Sequence, residues 1–458
     1  MPAMKLTEAE RPFSVAIIGA GIGGLALAGG LLQQGVPFTL YESAECFSTV
    51  GAGVGLGPNA IRAMESLQPG FTKLYEAISS GNVTPGKDHV MMDAMLVEEG
   101  LGQKRGLRPM SYGAPCYLRT SAHRKDLLDI LTAGIPEENV RFSKRVRRLS
   151  QDETGVIIEF EDGEVATATC AIGSDGIKGM SRSAVLGDRW PEYVQAQYTG
   201  KYVYRAIIPM EDAMRVLGKD MDGNEIAGDA KMFMGDRCII TTFPISSGTQ
   251  SNMVCFRLDD KPWTHPQWTK PVSREEMTQD IADLGVDERL VELLDWAQPL
   301  RWGLFHHLVT PTYFNKRICL LGDSAHATLP HQAAGAGQCI EDALVMSRLL
   351  GLVRAEEQIE AAFSVFDAFR RPRAQQIVQT SKEAGDLCAF KAPGVGSNMN
   401  KIVENQAQRY LWIWLHDLDK DVEKAEAEFK VLVGALAASS NIAMLQSDNQ
   451  RPAPALIV

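Results

Sequence analysis

The chain of 458 residues carries 46 Lys and Arg against 57 Asp and Glu, a net charge of −11. At roughly 100–200 residues per domain, this length predicts two or three hydrophobic cores. A composition of 45% hydrophobic and 22% charged residues is typical of a globular protein and excludes disordered, collagen-like and coiled-coil chains. The acidic balance repels nucleic acid and anionic lipid, so we expect neither nucleic acid nor a membrane as a partner.

The spacing of the cysteines argues against a metal site, and the N-terminal residues favour a cytoplasmic protein over a secreted one. The eight cysteines are scattered, and even the closest two, Cys238 and Cys255, form neither a CxxC pair nor a zinc-ligand spacing. The N-terminal residues lack the basic start and apolar stretch of a secretory signal, and no run of about 18 apolar residues occurs. We expect a soluble cytoplasmic protein without a metal, present as a monomer or homodimer.

The first predicted elements form a strand–helix–strand unit. Residues Phe13–Ile18 are a β-branched run typical of a buried strand, and small residues from about Gly23 to Gln34 predict a helix that ends at Gly35. A second strand is predicted at Phe38–Glu42. A unit of this kind implies a parallel sheet with a right-handed crossover.

Further strands are predicted in two groups. A hairpin at Val156–Phe160 and Val165–Ile172 and a buried strand at Ile318–Leu321 extend the first part of the chain. Between about residues 186 and 300 the pattern predicts an antiparallel sheet, with strands at Lys201–Ile208, Lys231–Met234, Cys238–Phe243 and Met253–Leu258.

After Gly337 the chain is predicted to be helical, with four apolar residues on one helical face: Ile359, Phe363, Phe366 and Phe369. The segments of the parallel sheet lie far apart in the sequence, so the domains must interleave. The predicted fold class is α/β, in which a parallel sheet is interleaved with an antiparallel-sheet domain and followed by C-terminal helices.

A glycine-rich turn separates the first predicted strand from the first helix. Its residues, Gly19-Ala-Gly21-Ile-Gly-Gly24, match GxGxxG, a pattern that lets a pyrophosphate approach the positive N-terminus of a helix. Glu42, at the end of the second strand, can accept hydrogen bonds from ribose hydroxyls and would repel a 2′-phosphate. The pair favours the adenosine of FAD or NAD over NADP. The alternative is a glycine-rich turn beside a solvated glutamate.

Two further turns combine glycine with an acid. Gly173-Ser-Asp175-Gly176 and Gly322-Asp323 each follow a predicted strand, where a carboxylate can hold polyol or phosphate groups. Gly335-Ala336-Gly337 then opens a helix whose N–H groups can stabilise negative charge on a bound ring. Each turn alone is compatible with ordinary loop chemistry, but three of them in this order favour FAD.

The order of these motifs resembles the group A flavin monooxygenases, aromatic hydroxylases with the para-hydroxybenzoate hydroxylase fold, over residues 13–385. Gly51-Ala-Gly53 and Pro58-Asn59 are similar to salicylate-hydroxylase-like members, and His123-Arg124 resembles their arginine that reaches the cofactor. Arg119 is a second cation nearby, with no motif to support it. The resemblance implies that FAD contacts Gly19, Gly21, Gly24, Glu42, Gly53, Arg124, Asp175, Gly176, Gly322, Asp323, Gly335, Ala336 and Gly337.

With this resemblance the chain divides into three regions and a tail. A discontinuous FAD-binding domain comprises residues 10–80, 120–185 and 301–345, and a substrate-binding domain comprises residues 81–119 and 186–300. A C-terminal helical region covers 346–440, and a tail covers 441–458. There is no second GxGxxG, and in this family NADPH or NADH binds transiently as the reductant.

Arg205 is the residue of the middle region that most needs a partner. Strand alternation places it with Val203 and Ile207 on an otherwise apolar face, where a guanidinium requires an anion. A protein carboxylate or a solvated sheet edge would satisfy it equally well. However, the chain resembles fungal phenol-dearomatising monooxygenases more closely than bacterial salicylate hydroxylases. These carry an arginine in this strand against the substrate phenolate.

A second phenolate ligand is expected from a tyrosine. In some of these relatives it lies on the next strand of the sheet, where this chain has Phe243, which has no hydroxyl. We expect Tyr117, ahead of His123-Arg124, to substitute for it and to set which face of the substrate meets the flavin. The alternative is a half-buried tyrosine with a satisfied hydroxyl. The histidines lack metal-ligand spacing and are interpreted as structural, with His326 bracing the Gly322-Asp323 turn.

The resemblance implies an FAD-dependent, NAD(P)H-consuming monooxygenase that uses O2 through a flavin C4a-hydroperoxide. The substrate class it implies is a resorcinol-type polyketide aldehyde of secondary metabolism, which would be hydroxylated and dearomatised. A salicylate-type decarboxylating hydroxylase shares every cofactor motif and stays open. So does a non-catalytic flavin-binding protein on the same scaffold.

Overall fold

The computed structural model describes residues 11–47 and 53–448, with side chains as far as residue 438. Gly51 and Ala52 of the predicted loop, and the last ten residues of the predicted tail, lie outside the described residues. The strands are β1 (Val15–Ile18), β2 (Phe38–Tyr41), β3 (Gly53–Val54), β4 (Val90–Leu96), β5 (Met110–Gly113), β6 (Ala122–His123), β7 (Val140–Arg141), β8 (Val146–Gln151), β9 (Val156–Phe160), β10 (Val165–Ala168), β11 (Cys170–Gly173), β12 (Gln197–Pro209), β13 (Lys231–Gly235), β14 (Cys238–Ile245), β15 (Gln250–Leu258), β16 (Thr269–Pro271), β17 (Leu300–His306), β18 (Phe314–Asn315) and β19 (Ile318–Leu320).

The helices are α1 (Ile22–Gln34), α2 (Pro58–Leu67), α3 (Phe71–Ile78), α4 (Arg124–Thr132), α5 (Ser181–Leu186), α6 (Met210–Leu217), α7 (Arg274–Ala282), α8 (Glu288–Glu292), α9 (Asp323–His326), α10 (Gly335–Leu352), α11 (Ile359–Cys388), α12 (Met399–Arg409), α13 (Leu411–Trp414) and α14 (Leu418–Asp448). In the part of the chain that the structure describes, none of them is long and apolar enough to cross a membrane.

A six-stranded sheet in the order β18-β19-β11-β1-β2-β7 forms the first layer. β1 lies at its centre and pairs in parallel with β2 and β11. The predicted strand–helix–strand unit is confirmed within two residues, and α1 ends where Gly35 adopts a left-handed conformation with φ 60°. Helices α1 and α10 pack against each other over this sheet and bury its apolar strands.

The predicted hairpin differs from the structure in its second strand. Val165–Ala168 pairs with β9 and alternates between exposed and half-buried residues. Cys170–Gly173 instead joins the six-stranded sheet and is buried throughout. The change from alternating to continuous burial separates a solvated antiparallel strand from a central parallel one.

An eight-stranded sheet forms the second layer, in the order β16-β17-β12-β15-β14-β13-β4-β5. The four strands predicted between residues 186 and 300 are confirmed as β12 to β15. Strands β4 and β5 are additional, and β4 runs parallel to β13. The domain limits stay a prediction, although β17 runs past the predicted boundary at residue 300.

The C-terminal helices join the two layers. Ile359, Phe363 and Phe366 of α11 are buried as predicted. Helix α12 packs against β5, and α14 packs against α10 and α11. α14 extends to Asp448 and therefore runs into the segment that we predicted to be a tail from residue 441. The arrangement places a cleft between the six-stranded sheet, the eight-stranded sheet and the start of α10.

Candidate active site

Four loops converge at one edge of the six-stranded sheet. They follow the neighbouring parallel strands β19, β11, β1 and β2, so the carboxyl ends of these strands open into the same cleft. This is the position at which open α/β sheets bind ligands. The cleft has a volume of about 330 Å³ and is lined by residues from three of the loops, from α10 and from the second sheet.

The first loop is the glycine-rich turn before α1. Gly19 has φ +100°, and a Cβ at Gly24 would lie 2.0 Å from the Gly19 carbonyl oxygen, so both positions require glycine for the turn itself. A Cβ at Gly21 would meet no protein atom within 4 Å, yet Gly21 lines the cleft. The fold therefore does not require glycine at position 21. The absence of a side chain there leaves room for a ligand in the cleft.

Glu42 follows β2 and lies beside this turn. Its carboxylate accepts hydrogen bonds from the backbone N–H groups of Ala20 and Ala44, both at 2.8 Å. These bonds fix the position of the carboxylate. Oε1 also accepts from the Ser43 hydroxyl at 3.2 Å, so Oε2 is the oxygen with a lone pair left for a ribose hydroxyl.

The loop after β11 is tied to the first turn. The Ser174 hydroxyl donates to the Gly19 carbonyl oxygen at 2.8 Å, and Ser174 and Gly176 line the cleft. Asp175 does not line it. One Asp175 oxygen accepts from the backbone and hydroxyl of Ser181, and burial raises the pKa of this carboxyl. In this structure Asp175 holds its own loop, and its predicted contact with a cofactor stays a prediction.

The loop after β19 places the carboxylate of Asp323 in the cleft, which the guanidinium of Arg124 also lines. Asp323 is exposed within the cleft, and the surrounding protein raises its pKa although His326 and Arg124 oppose that shift. Arg124, at the start of α4, lines the same cleft and forms no ion pair with any described residue. The cleft therefore contains an uncommitted cation and an acid without a hydrogen-bond donor among the described residues.

These groups fit FAD. The open space at Gly21, the N-terminus of α1 and the guanidinium of Arg124, which is unpaired among the described residues, suit a pyrophosphate. Asp323 and Glu42 suit the hydroxyls of ribityl and ribose. The start of α10 adds backbone N–H groups from Gly335 and Ala336, which line the cleft as well. Gly337 lies one step further along the helix, where a Cβ would come within 3.3 Å of Ala60.

Beneath the cleft lies a buried ion network that the sequence analysis did not predict. Arg370 of α11 bonds to Glu341 at 2.7 Å and to Asp342 at 2.8 Å, and Arg373 bonds to Glu341 at 2.7 Å. Burial alone would raise the pKa of both carboxyls, but the paired cations outweigh it and lower each pKa to about 2. The network joins the start of α10 to α11.

His326 connects this network to the cleft. Its Nε2 lies 2.6 Å from Asp342, whose carboxylate also accepts the backbone N–H of Gly322. The prediction that His326 braces the turn is therefore confirmed. Among the described residues, no group of three or more His, Cys, Asp or Glu side chains is placed to hold a metal ion.

A second cavity of about 300 Å³ adjoins the cleft, and both are lined by Gly53, Val54, Asp323, Gly335 and Ala336. The remaining wall is mostly apolar and comes from the second sheet and the C-terminal helices: Met91, Met92, Met232, Ile239, Phe243, Val254, Phe256, Cys388 and Tyr410. No Lys or Arg is among the described residues that line it. His331 is the histidine among these described lining residues, and burial lowers its pKa to about 3, so it is neutral.

Arg205 lines the cleft and not the apolar cavity. Val203 packs towards the cavity side of the sheet while Tyr202 and Tyr204 enter the opposite core, so the predicted alternation is confirmed. The guanidinium lies 5.6 Å from the centre of the Trp302 ring and forms no ion pair with a described carboxylate. Burial and the neighbouring Arg124 lower its pKa. Arg205 therefore remains available to an anion at the junction of cleft and cavity.

Phe243 lies beside Gly53 of the wall shared by cleft and cavity, whereas Tyr117 lies at a separate small pocket. Phe243 lines the cavity directly. Tyr117 is buried, stacks on Trp414 at 4.3 Å between ring centres, and lines a small pocket of about 20 Å³. Gly55, Met91, Ala333 and Ala334 line both this pocket and the cavity. Tyr117 thus stands at a recess of the cavity.

Comparison with known proteins agrees with this geometry. The sequence matches the family model of an FAD binding domain over residues 12–381. An FAD-dependent monooxygenase of Gibberella moniliformis is 39% identical over 439 residues, 93% of this chain and 98% of the relative. The 6-methylsalicylate 1-monooxygenase of Aspergillus terreus is 35% identical over 92% of this chain and 93% of its own. A salicylate hydroxylase solved as a substrate complex aligns with a TM-score of 0.78 at 32% identity, covering 91% of this chain and 98% of that one.

Proposed function

Because the chain belongs to the FAD-dependent aromatic monooxygenases, we propose that it hydroxylates a phenol bound in the apolar cavity, with NAD(P)H and O2 as co-substrates. The observation that carries this proposal is the shared wall of cleft and cavity, formed by Gly53, Val54, Asp323, Gly335 and Ala336. A ring bound in the cavity would meet a cofactor in the cleft along this wall.

FAD, when bound, supplies the activation of O2 with electrons from the nicotinamide. The residues of this chain bind and orient it. Arg124 and the turn at Gly19, Gly21 and Gly24 would hold the pyrophosphate, Glu42 the ribose and Asp323 the ribityl chain. The cofactor would approach the backbone closely at six residues with little or no side chain: Gly53, Gly176, Gly322, Gly335, Ala336 and Gly337. Asp175 would keep its own loop in place.

Arg205 would hold the substrate as its phenolate. An ionised phenol has a more nucleophilic ring carbon than a neutral one, so the cation promotes attack on the oxygen to be transferred. In a site with little water, such a fixed charge contributes about 3–4 kcal/mol, a factor of about 10²–10³ in rate. Because Arg205 lines the cleft, the phenolate oxygen would lie at the junction and the rest of the ring in the cavity.

The proposed substrate is a resorcinol-type polyketide aldehyde, and the proposed outcome is hydroxylative dearomatisation. Support comes from the charge of the cavity: no Lys or Arg is among the described residues that line it, so a carboxylate in its interior would lack a cation. An aldehyde carries no charge and suits the Met-rich wall. Oxygen transfer to a ring carbon that already bears a methyl group leaves no proton to lose, so the product is a dienone.

A decarboxylating hydroxylase is the second candidate. The relatives named 6-methylsalicylate 1-monooxygenase and salicylate hydroxylase favour it. In that case the substrate carboxylate would have to lie near Arg205 at the junction, and the products would be a catechol and CO2. A protein that binds flavin without catalysis would show FAD absorption and no phenol-stimulated oxidation of NAD(P)H.

The test is oxidation of NADPH and of NADH by the purified yellow protein with either a methylated orsellinaldehyde or salicylate. We expect strong stimulation by the aldehyde. Stimulation by salicylate alone, with release of CO2, would establish the second candidate. Stimulation by neither phenol would contradict both.

A further inference from the structure

Arg119 is a buried arginine that has no counter-charge in the part of the chain that the structure describes. Its side chain is only 4% exposed, and no described carboxylate forms an ion pair with it. It donates one hydrogen bond, from a terminal nitrogen to the Tyr117 hydroxyl at 3.2 Å. Its Nε is buried without a partner among the described residues. A buried guanidinium in this state is costly unless it serves an anion or a dipole.

The other buried arginines of the described chain are used differently. Arg182 donates to several backbone carbonyls, and Arg370 and Arg373 pair with Glu341. Each of these three joins two elements of the fold through several bonds. Arg119 makes no comparable connection. Its guanidinium lies 5.1 Å from the centre of the Phe243 ring, which lines the apolar cavity, and Arg119 lines the same small recess as Tyr117.

The hydrogen bond from Arg119 determines the direction in which the Tyr117 hydroxyl can donate its proton. A tyrosine hydroxyl has one proton to donate. Because its oxygen accepts a hydrogen bond from Arg119, the proton must point elsewhere, and no described group accepts it. The recess that Tyr117 lines opens towards the cavity through Gly55, Met91, Ala333 and Ala334. The hydroxyl is thus held as a donor at the edge of the cavity.

We propose that Arg119 is a positioning residue that acts on the bound phenol through Tyr117, and so supplies positive charge to a cavity that no Lys or Arg lines among the described residues. The inference rests on the proposed function. Arg119 orients the Tyr117 hydroxyl as a donor to a substrate oxygen and polarises it, which stabilises that oxygen in its anionic form. Arg205 at the junction and the Arg119–Tyr117 pair at the recess then hold two oxygens of a resorcinol ring.

The experiment measures the pKa of the bound phenol without turnover. Oxidised holoenzyme is titrated with a methylated orsellinaldehyde across a pH series, and the phenolate is followed by its absorbance. Arg119→Met should raise the apparent pKa of the bound phenol by about 1 and weaken phenolate binding about tenfold, and Arg119→Lys should restore most of the effect. FAD content and thermal melting report folding.

A double-mutant cycle separates action through Tyr117 from a direct or merely structural effect. Tyr117→Phe should raise the pKa as Arg119→Met does, and the double variant should add nothing further. The control is Arg62→Met, which removes an arginine bound to the Trp414 carbonyl without touching Tyr117. It should leave the phenol pKa unchanged.

Three results would overturn the inference. They are an unchanged phenol pKa in Arg119→Met, additive effects in the double variant, or an equal shift in the control. Wild-type oxidation of NAD(P)H is measured on the same preparation. If the wild type turns over the phenol and Arg119→Met keeps the wild-type pKa, the inference about Arg119 alone fails. If the wild type neither binds nor oxidises a phenol, the proposed function fails and this inference with it.

Discussion

Arg205 carries the clearest prediction at the scale of single residues. It is half-buried beside Trp302, unpaired with any described carboxylate, and placed where the cleft meets the cavity. We expect Arg205→Ala to bind FAD normally and to hydroxylate about 10²–10³-fold more slowly, because the phenolate loses its cation. Steady-state turnover with FAD content measures both. Arg215→Ala, at an exposed arginine of α6, should match the wild type; full activity in Arg205→Ala would remove the assignment.

Tyr117 is expected to affect the stereochemistry as well as the affinity. Tyr117→Phe keeps the stacking on Trp414 but removes a hydroxyl that can donate to a substrate oxygen. Losing a hydrogen bond to a charged group costs about 1.5–3 kcal/mol. We therefore expect weaker binding and a changed ratio of product enantiomers by chiral chromatography. Tyr112→Phe is the control, since Tyr112 is buried nearby without lining the cavity. An unchanged ratio in Tyr117→Phe would exclude the role.

The sequence could identify these residues but not the wall on which each lies. Alternation along β12 places Arg205 on the correct face, and substitution of a tyrosine by Phe243 draws attention to Tyr117. Whether Arg205 lines the cleft or the cavity depends on how two sheets and α10 meet, which no local pattern encodes. The sequence shows Arg119 only as a second cation near Arg124 without a motif, because its significance is the absence of a charge partner among the described residues.

At the scale of elements, the turn before α1 can be tested without disturbing the fold. A Cβ at Gly21 would meet no protein atom within 4 Å, and it would enter the cleft. We expect Gly21→Ala to fold with wild-type melting of the flavin-free protein and to lose most of its bound FAD by absorbance. Gly29→Ala, on α1 with no atom within 4 Å, should stay yellow and gain up to about 1 kcal/mol. Full FAD content in Gly21→Ala would contradict the proposed site.

The buried network between α10 and α11 predicts a dependence of stability on acid. Glu341 has a pKa of about 2 in the folded protein, below its ordinary value. Its contribution is therefore complete above the ordinary pKa of a glutamate and is lost as the pH falls towards 2. We expect Glu341→Gln to cost about 3–5 kcal/mol at neutral pH, because it leaves buried arginines without their charge partner.

Urea unfolding between about pH 5 and 3 measures this effect. The wild type should lose stability steeply over this range, and Glu341→Gln should lose less, since its amide does not titrate. Glu423→Gln, on the exposed part of α14, should follow the wild type. Parallel curves for the wild type and Glu341→Gln would show that the network does not carry the acid sensitivity.

Elements differ in how far the sequence predicts them. The strand–helix–strand unit around α1 follows from local periodicity and a glycine at each end. The sequence analysis does not predict β4, because its sequence VMMDAML has three methionines in place of β-branched residues and a buried Asp93, which forms ion pairs with Lys87 and Lys231. The ion network between α10 and α11 joins residues 28 to 32 positions apart in the sequence. The pairing therefore cannot be predicted from the pattern of either helix alone.

At the scale of the molecule, two sheets that interleave in sequence enclose one cleft and one cavity. The six-stranded sheet and α10 build the charged cleft, and the eight-stranded sheet with the C-terminal helices builds an apolar wall. The predicted strands and helices, together with the family resemblance that the order of the glycine-rich turns carries, predict the fold class and FAD. The charge of the substrate cavity was not predictable, because its described lining comes from eight separate stretches of the chain between residues 53 and 410.

With FAD in the cleft and the phenol in the cavity, we propose that the enzyme converts a neutral phenolic aldehyde into a dienone. The most direct test is turnover of a methylated orsellinaldehyde by the purified holoenzyme under ¹⁸O2, with the product examined by mass spectrometry and chiral chromatography. We predict a non-aromatic dienone that keeps every carbon of the substrate, contains one ¹⁸O atom and is enriched in one enantiomer. A catechol with loss of CO2 or formate, or a product without ¹⁸O, would contradict the account.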